Sequence, residues 1–201
     1  MLCFGTIQAQ QKIEKHFPVA GKGAVELKIQ IADSISIQTW DRNEVFVTAS
    51  VNINENKDND AYLTTFSDAG NTITVNAEFR DNYFEGRNDC CIESDIFWNV
   101  FIPEKTDCIV ETINANLTIK GETGEMKIKS ISGYIDLSVP DTRPANLEFS
   151  TISGTLYTDH NLNPGKTRNS VPTVIKETLN SGGPAIKLET ISGDIFFRKS
   201  N

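Results

Sequence analysis

Asp159-His160-Asn161 follows Ser153 by a few residues, and together they supply the types a hydrolase uses: a hydroxyl nucleophile, an imidazole base and a carboxylate to orient it. The spacing argues against that chemistry. Adjacent Asp and His side chains rarely aim at one another, and no G-x-S-x-G elbow presents the serine. The second histidine, His16, lies near the N-terminus, away from this group. Carboxylates are plentiful in two polar stretches. RDNYFEGRNDCCIESDIFW carries Asp81, Glu85, Asp89, Glu93 and Asp95 beside Tyr83 and Phe84, and NENKDND spans 54–60. Oxygen-rich loops can hold Ca²⁺, yet neither follows the D-x-D-x-D-G order. Both read as mobile acidic loops. Cys90-Cys91 with a distant Cys108 and no nearby His is not a zinc pattern. We expect no catalytic residue, no cofactor and no metal.

Chemistry of another kind is offered by Tyr134, Tyr157 and Phe196 together with Ser132, Ser153 and Asp194. Aromatic rings pack against apolar faces of sugar rings, while hydroxyls and carboxylates orient the sugar's own hydroxyls. Such residues make a binding surface only if something lines them up. The same rows would also serve as an ordinary solvated sheet face.

What would line them up is a repeat. The word KSISG at 129–133 returns as STISG at 150–154 and ETISG at 189–193. Each copy joins two apolar alternations of period two and opposite parity. Ile186-x-Leu188-x-Thr190 passes into Ile191-x-Gly193-x-Ile195-x-Phe197, and Met126-x-Ile128-x-Ser130 into Ile131-x-Gly133-x-Ile135-x-Leu137. Leu147-x-Phe149-x-Thr151 continues as Ile152-x-Gly154-x-Leu156, and a diverged copy joins Cys108-x-Val110-x-Thr112 to Ile113-x-Ala115-x-Leu117-x-Ile119. Side chains alternate faces along a strand, so a parity switch marks a bend or bulge. The repeated word is then a corner between two short strands, with its isoleucine turned inward and Gly or Ala where there is little room.

The corner isoleucines stand at 113, 131, 152 and 191, intervals of 18, 21 and 39 residues. A period near 20, with the last interval covering two turns through a diverged stretch at 161–183, predicts an all-β, β-solenoid-like stack. A β-sandwich is the alternative. In the stack, outward residues form rows: Asn114, Ser132, Ser153, Ser192; then Asn116, Tyr134, Thr155, Asp194; then Thr118, Asp136, Tyr157, Phe196. Upstream, Ile31-Ala32-Asp33-Ser34-Ile35 reads as a worn corner, and NDAYLTTF near 59–66 carries the one weak trace of helical periodicity.

These features resemble the putative-adhesin family of bacterial β-strand-repeat domains. The resemblance is carried by GAVELKIQIADSISIQTWDRNEVFVTASV, by the strand-to-proline turns at Pro103 and Pro140, and by the closing AIKLETISGDIFFRK, and it covers roughly residues 20–199. It implies a secreted or envelope-facing domain and brings no catalytic residues. The chain departs from the plain pattern at 80–95 and 161–183.

Composition narrows the partners. Lys plus Arg number 19 against 27 Asp plus Glu, a net charge of −8, which repels phosphate backbones and excludes nucleic acid as the expected ligand. No segment is long and apolar enough for a transmembrane helix. Residues 1–9 read as the remnant of a secretory signal with Ala9 at the cleavage position, leaving a single β-repeat domain over 20–201; a lipid anchor on Cys3 lacks its small preceding residues. Cys90 or Cys91 pairing with Cys108 would close a short loop, but the repeat favours Cys108 as a buried thiol. The reading is a non-enzymatic, extracytoplasmic adhesion or binding module whose partner is a surface glycan or an envelope or host protein. The alternative is a structural or regulatory envelope protein acting through a protein partner.

Overall fold

The computed structural model describes residues 10–19, 23–85, 92–162 and 172–200. The signal-like residues 1–9, Cys90, Cys91 and Asp89 lie outside them. Among the described residues fifteen strands follow one another: β1 (Gln11–Pro18), β2 (Ala24–Ile29), β3 (Ile31–Trp40), β4 (Glu44–Ile53), β5 (Tyr62–Ala69), β6 (Thr72–Phe79), β7 (Ser94–Pro103), β8 (Asp107–Lys120), β9 (Met126–Ser132), β10 (Ile135–Val139), β11 (Ala145–Ser153), β12 (Leu156–Thr158), β13 (Thr173–Leu179), β14 (Ala185–Ser192) and β15 (Ile195–Lys199). The segment with the helical trace forms a 3-10 turn at Asn59–Ala61 and then strand β5. Leu63, Thr65 and Ser67 point outward from it while Tyr62 is buried, so the edge-strand alternation overrides the weak helical signal.

The strands build two faces over one core. The first face runs β5-β6-β2-β8-β9-β14-β11-β13, using the first half of β8. The second runs β1-β4-β7-β3-β8-β10-β15-β12, using its second half. In the middle of both faces neighbours run parallel, because each unit crosses from one face to the other at a corner and returns one layer on. That is a β-solenoid-like arrangement; hairpin-built sandwiches would make neighbours antiparallel. Antiparallel strands β1, β4 and β5 close one end, and β13 closes the first face at the other. Inward ladders fill the core. Leu27, Val110, Ile128, Leu188 and Phe149 are in register on one face, opposed by Ile37, Ile119, Leu137 and Phe197 on the other. Each such buried side chain is worth about 1.5–3 kcal/mol.

Two expectations are corrected here. The corner isoleucines do not point inward. Ile113, Ile131, Ile152 and Ile191 are between 44% and 51% exposed, whereas Thr112, Ser130, Thr151 and Thr190 just before them are buried. The bulge turns two successive residues, Ile and the Ser or Asn after it, onto the convex side of the corner. A small hydroxyl residue is left to fill the narrow edge of the core. Ser130 Oγ donates to the Ser132 carbonyl at 2.8 Å and Thr112 Oγ1 to the Gln30 carbonyl at 3.3 Å, whereas Thr190 Oγ1 is buried without a hydrogen-bond partner.

The second correction concerns order. The interval of 39 residues is not two successive layers: β14 and β15 insert between β9/β10 and β11/β12. The corner glycines record this. A Cβ on Gly193 would run into the carbonyl of Gly133, and one on Gly154 into the carbonyl of Gly193, giving the spatial series Ala115, Gly133, Gly193, Gly154. β13, antiparallel to β11, gives the chain the reversal it needs before β14 enters from the same side as β9.

Cys108 lies inward between Val25 and Met126 as a buried free thiol. Burial pushes its pKa up to about 12. Cys108 should therefore resist iodoacetamide at mildly alkaline pH while the protein is folded and react once it is unfolded, as read by mass spectrometry of the labelled peptide.

Candidate functional site

On the outer side of the second face, β10, β15 and β12 are parallel and in register, so Asp136, Phe196 and Tyr157 stand in one row. The row one step nearer the corner holds Asn116, Tyr134, Asp194 and Thr155, and the corner itself carries Asn114, Ser132, Ser192 and Ser153. The rows are those expected from the sequence, with the last two members exchanged because β15 precedes β12 in space. Inserting β15 places Phe196 between the two tyrosines. Its ring stacks on Tyr157 at 5.1 Å and 12°, and meets Tyr134 edge-on at 6.0 Å. Arg198 lies over the Phe196 ring at 4.8 Å and pairs through Nε with Asp136 Oδ1 at 3.1 Å. Tyr134 and Tyr157 remain 38% and 49% exposed. The result is an aromatic platform with one cation and one carboxylate fixed beside it, and tyrosine hydroxyls at its margins.

Asp194 has a second duty. Its Oδ1 accepts the backbone N–H of Thr155 at 2.8 Å, tying the turn before β12 to the turn before β15. Ser132 and Ser153 lie at the corner, flanking the platform rather than within it.

Apart from His16, a second aromatic group on the same face has no counterpart among the residues singled out from the sequence. Phe46 stacks on His16 at 4.3 Å and faces Phe101 at 6.0 Å, with Trp40 5.2 Å from Phe101 and Arg42 over the Trp40 ring at 4.7 Å. Its signal is present in TWDRNEVF, where Trp40 and Phe46 flank a turn, but Phe101 and His16 come from strands paired only in three dimensions. From β7 to β15 there are four strand steps, about 19 Å at the usual strand spacing.

The hydrolytic reading does not assemble. His160 is buried with its ring on Phe197 at 4.3 Å; the carboxylate beside it is Asp141, whose Oδ1 stands 3.5 Å from Nδ1 without a hydrogen bond, while Asp159 Oδ1 accepts from the Lys199 backbone at 2.8 Å. The polar stretch at 54–60 is occupied with its own structure. Asp58 Oδ2 accepts from Asn54 Nδ2 at 2.6 Å and from the hydroxyl of buried Tyr83 at 3.1 Å. Tyr83 stacks on Phe79 and so pins the start of the following insertion. Among the described residues no group of three or more His, Cys, Asp or Glu could hold a metal ion. None of their helices is long and apolar enough to cross a membrane.

Corner repeats beginning at Thr112 and ending at Phe197 are the part of the chain that a family description recognises. Residues 112–197 match the Toastrack DUF4097 family. The Toastrack segment holds all four corner words and the whole Tyr134–Phe196–Tyr157 platform, and it bears out the resemblance read from the sequence. A solved structure of a putative cell adhesion protein from Clostridium sporogenes is similar over 96% of this chain and 100% of its own, with a TM-score of 0.61 at 8% identity. At that identity the likeness shows the fold, which thus extends beyond the Toastrack segment to the N-terminal strands. A solved structure of a putative adhesin from Bacteroides fragilis aligns over 98% of this chain and 100% of its own at 8% identity, with a TM-score of 0.36. No curated protein matches this sequence.

Proposed function

We propose that the protein is an extracytoplasmic, non-enzymatic binding module of the adhesin kind, and that its ligand lies on the outer side of the second face. The observation that carries this reading is the exposed Tyr134–Phe196–Tyr157 platform with Arg198 and Asp136 fixed beside it. An open sheet face suits a surface glycan, whose rings lie on aromatic faces while the fixed ion pair and the tyrosine hydroxyls meet its hydroxyl groups. The second aromatic group about 19 Å away, at the usual strand spacing, favours an extended ligand lying across the strands over a single sugar.

The test is binding of the chain from residue 10 onward to an array of bacterial and host glycans and matrix proteins. We expect a saturable ligand whose binding is lost in Tyr134→Ala/Tyr157→Ala, with the unfolding midpoint nearly unchanged because both side chains are surface groups. Binding that survives the double substitution moves the site off this face. Silence across the array turns the search to a protein partner in the cell's own envelope, by crosslinking in cells.

A further inference from the structure

The corner isoleucines are an apolar ladder that no element among the described residues covers. Registers of Thr112 with Ser130, Ser130 with Thr190 and Thr190 with Thr151 place Ile113, Ile131, Ile191 and Ile152 directly above one another. Four half-exposed isoleucines three strand steps long make a straight ridge about 14 Å in length. Beside it runs a groove of about 690 Å³, floored by the buried Thr112, Ser130 and Thr190. On the groove's other bank stands a second row, two residues earlier in each strand: Lys28, Glu111, Lys129 and Glu189 in register. Its charges alternate and sum to zero. A contiguous aliphatic ridge on a surface otherwise this polar marks an interaction site.

We propose that this corner is a homotypic interface, where a second copy of the chain docks about a two-fold axis crossing the ladder between Ile131 and Ile191. Two features select a second copy. The partner ridge has the same rung spacing, so isoleucine meets isoleucine along its whole length: Ile131 faces the other copy's Ile191, and Ile113 its Ile152. The same axis reverses the charged row, so that Lys129 faces Glu189 of the second copy and Glu189 its Lys129. Within its own chain Lys129 makes only a long ion pair to Glu189, at 3.9 Å, and Glu189 has a nearer partner in Lys187 at 2.8 Å, so little holds the Lys129 ammonium back from a carboxylate across the interface. An isologous contact of this kind is self-complementary and closes. An anionic bilayer does not match a ridge flanked by two carboxylates on a chain of charge −8. The aromatic platform lies beyond the corner on the second face, so this interface neither uses nor requires the ligand proposed above.

The experiment is sedimentation velocity on the full chain, with circular dichroism and the unfolding midpoint as controls for folding. Wild type should sediment as a dimer, and Lys129→Glu and Glu189→Lys should each sediment as monomers with native spectra. Mixed in equal amounts, those two variants should regain the dimer, because every cross-interface pair is then of opposite charge. Rescue on mixing is not available to a pairing made within one chain. Ile131→Asp should be monomeric with or without a partner, while Tyr134→Ala/Tyr157→Ala should still dimerise. A wild-type monomer at every concentration, a dimer that persists in Ile131→Asp, or a mixture that stays monomeric would each overturn the proposal.

Discussion

Replacing Phe197 by Ala should lower the unfolding free energy by about 3–5 kcal/mol, the cost of emptying a large aromatic site in a packed core. Phe197 is fully buried, lies 5.3 Å from Phe149 across the two faces, and carries the His160 ring on its other side. Its loss opens the core where the second face is thinnest, because its neighbour β12 has only three residues. The informative control is Ile152→Ala. The letter is apolar and repeated, yet the side chain is half exposed in the single chain, so in the monomeric Lys129→Glu background its truncation should change stability by no more than about 0.5 kcal/mol. Urea unfolding of the two variants, each beside its parent, reads both values. A large loss for Ile152→Ala would return that residue to the core.

Gly193→Val should be nearly as damaging, at about 1–3 kcal/mol or more, for the opposite reason of overpacking. The Cβ has no room, because the carbonyl oxygen of Gly133 occupies its place and Gly193's own carbonyl occupies the corresponding place for Gly154. One added side chain therefore pushes the Gly193 layer away from the Gly133 layer. Gly70, at a hairpin tip with positive φ and open space around it, is the comparison. There Ala meets only backbone strain of about 1 kcal/mol. Thermal unfolding that ranked Gly70→Ala as the worse of the two would contradict the glycine stack.

What the sequence revealed and what it hid follow from one physical distinction. Strand alternation is local, so the two faces, the inward ladders and the outward rows with Tyr134, Tyr157 and Phe196 were readable from parity alone. Which residue of a corner turns inward is decided by the width of the core edge, and that space exists only once both faces are stacked. The sequence shows that Thr190 and Ile191 straddle a bend; it does not show that the edge has room for a hydroxyl and none for an isoleucine. Layer order is non-local in the same way. Nothing in the letters of β15 says that it slips between β10 and β12, and only the parallel registers do. The group around Trp40, Phe46 and Phe101 was hidden for that reason too, since it joins strands far apart in sequence and adjacent in the sheet.

Layer order is also what builds the proposed surface, since Phe196 joins the two tyrosines only if β15 lies between β10 and β12. Cysteine pairs on neighbouring outward positions test this directly, in a background with Cys3, Cys90 and Cys91 changed to Ser. Ser138 and Arg198 are in-register neighbours, a spacing that a disulfide can bridge. Asp136 and Tyr157 are each in register with Phe196, from opposite sides, and so stand two strands apart. Under mild oxidation, Ser138→Cys/Arg198→Cys should close an intramolecular disulfide and Asp136→Cys/Tyr157→Cys should not. The reverse outcome would mean that the layers stack in chain order, that Phe196 lies outside the tyrosine pair, and that the platform does not exist.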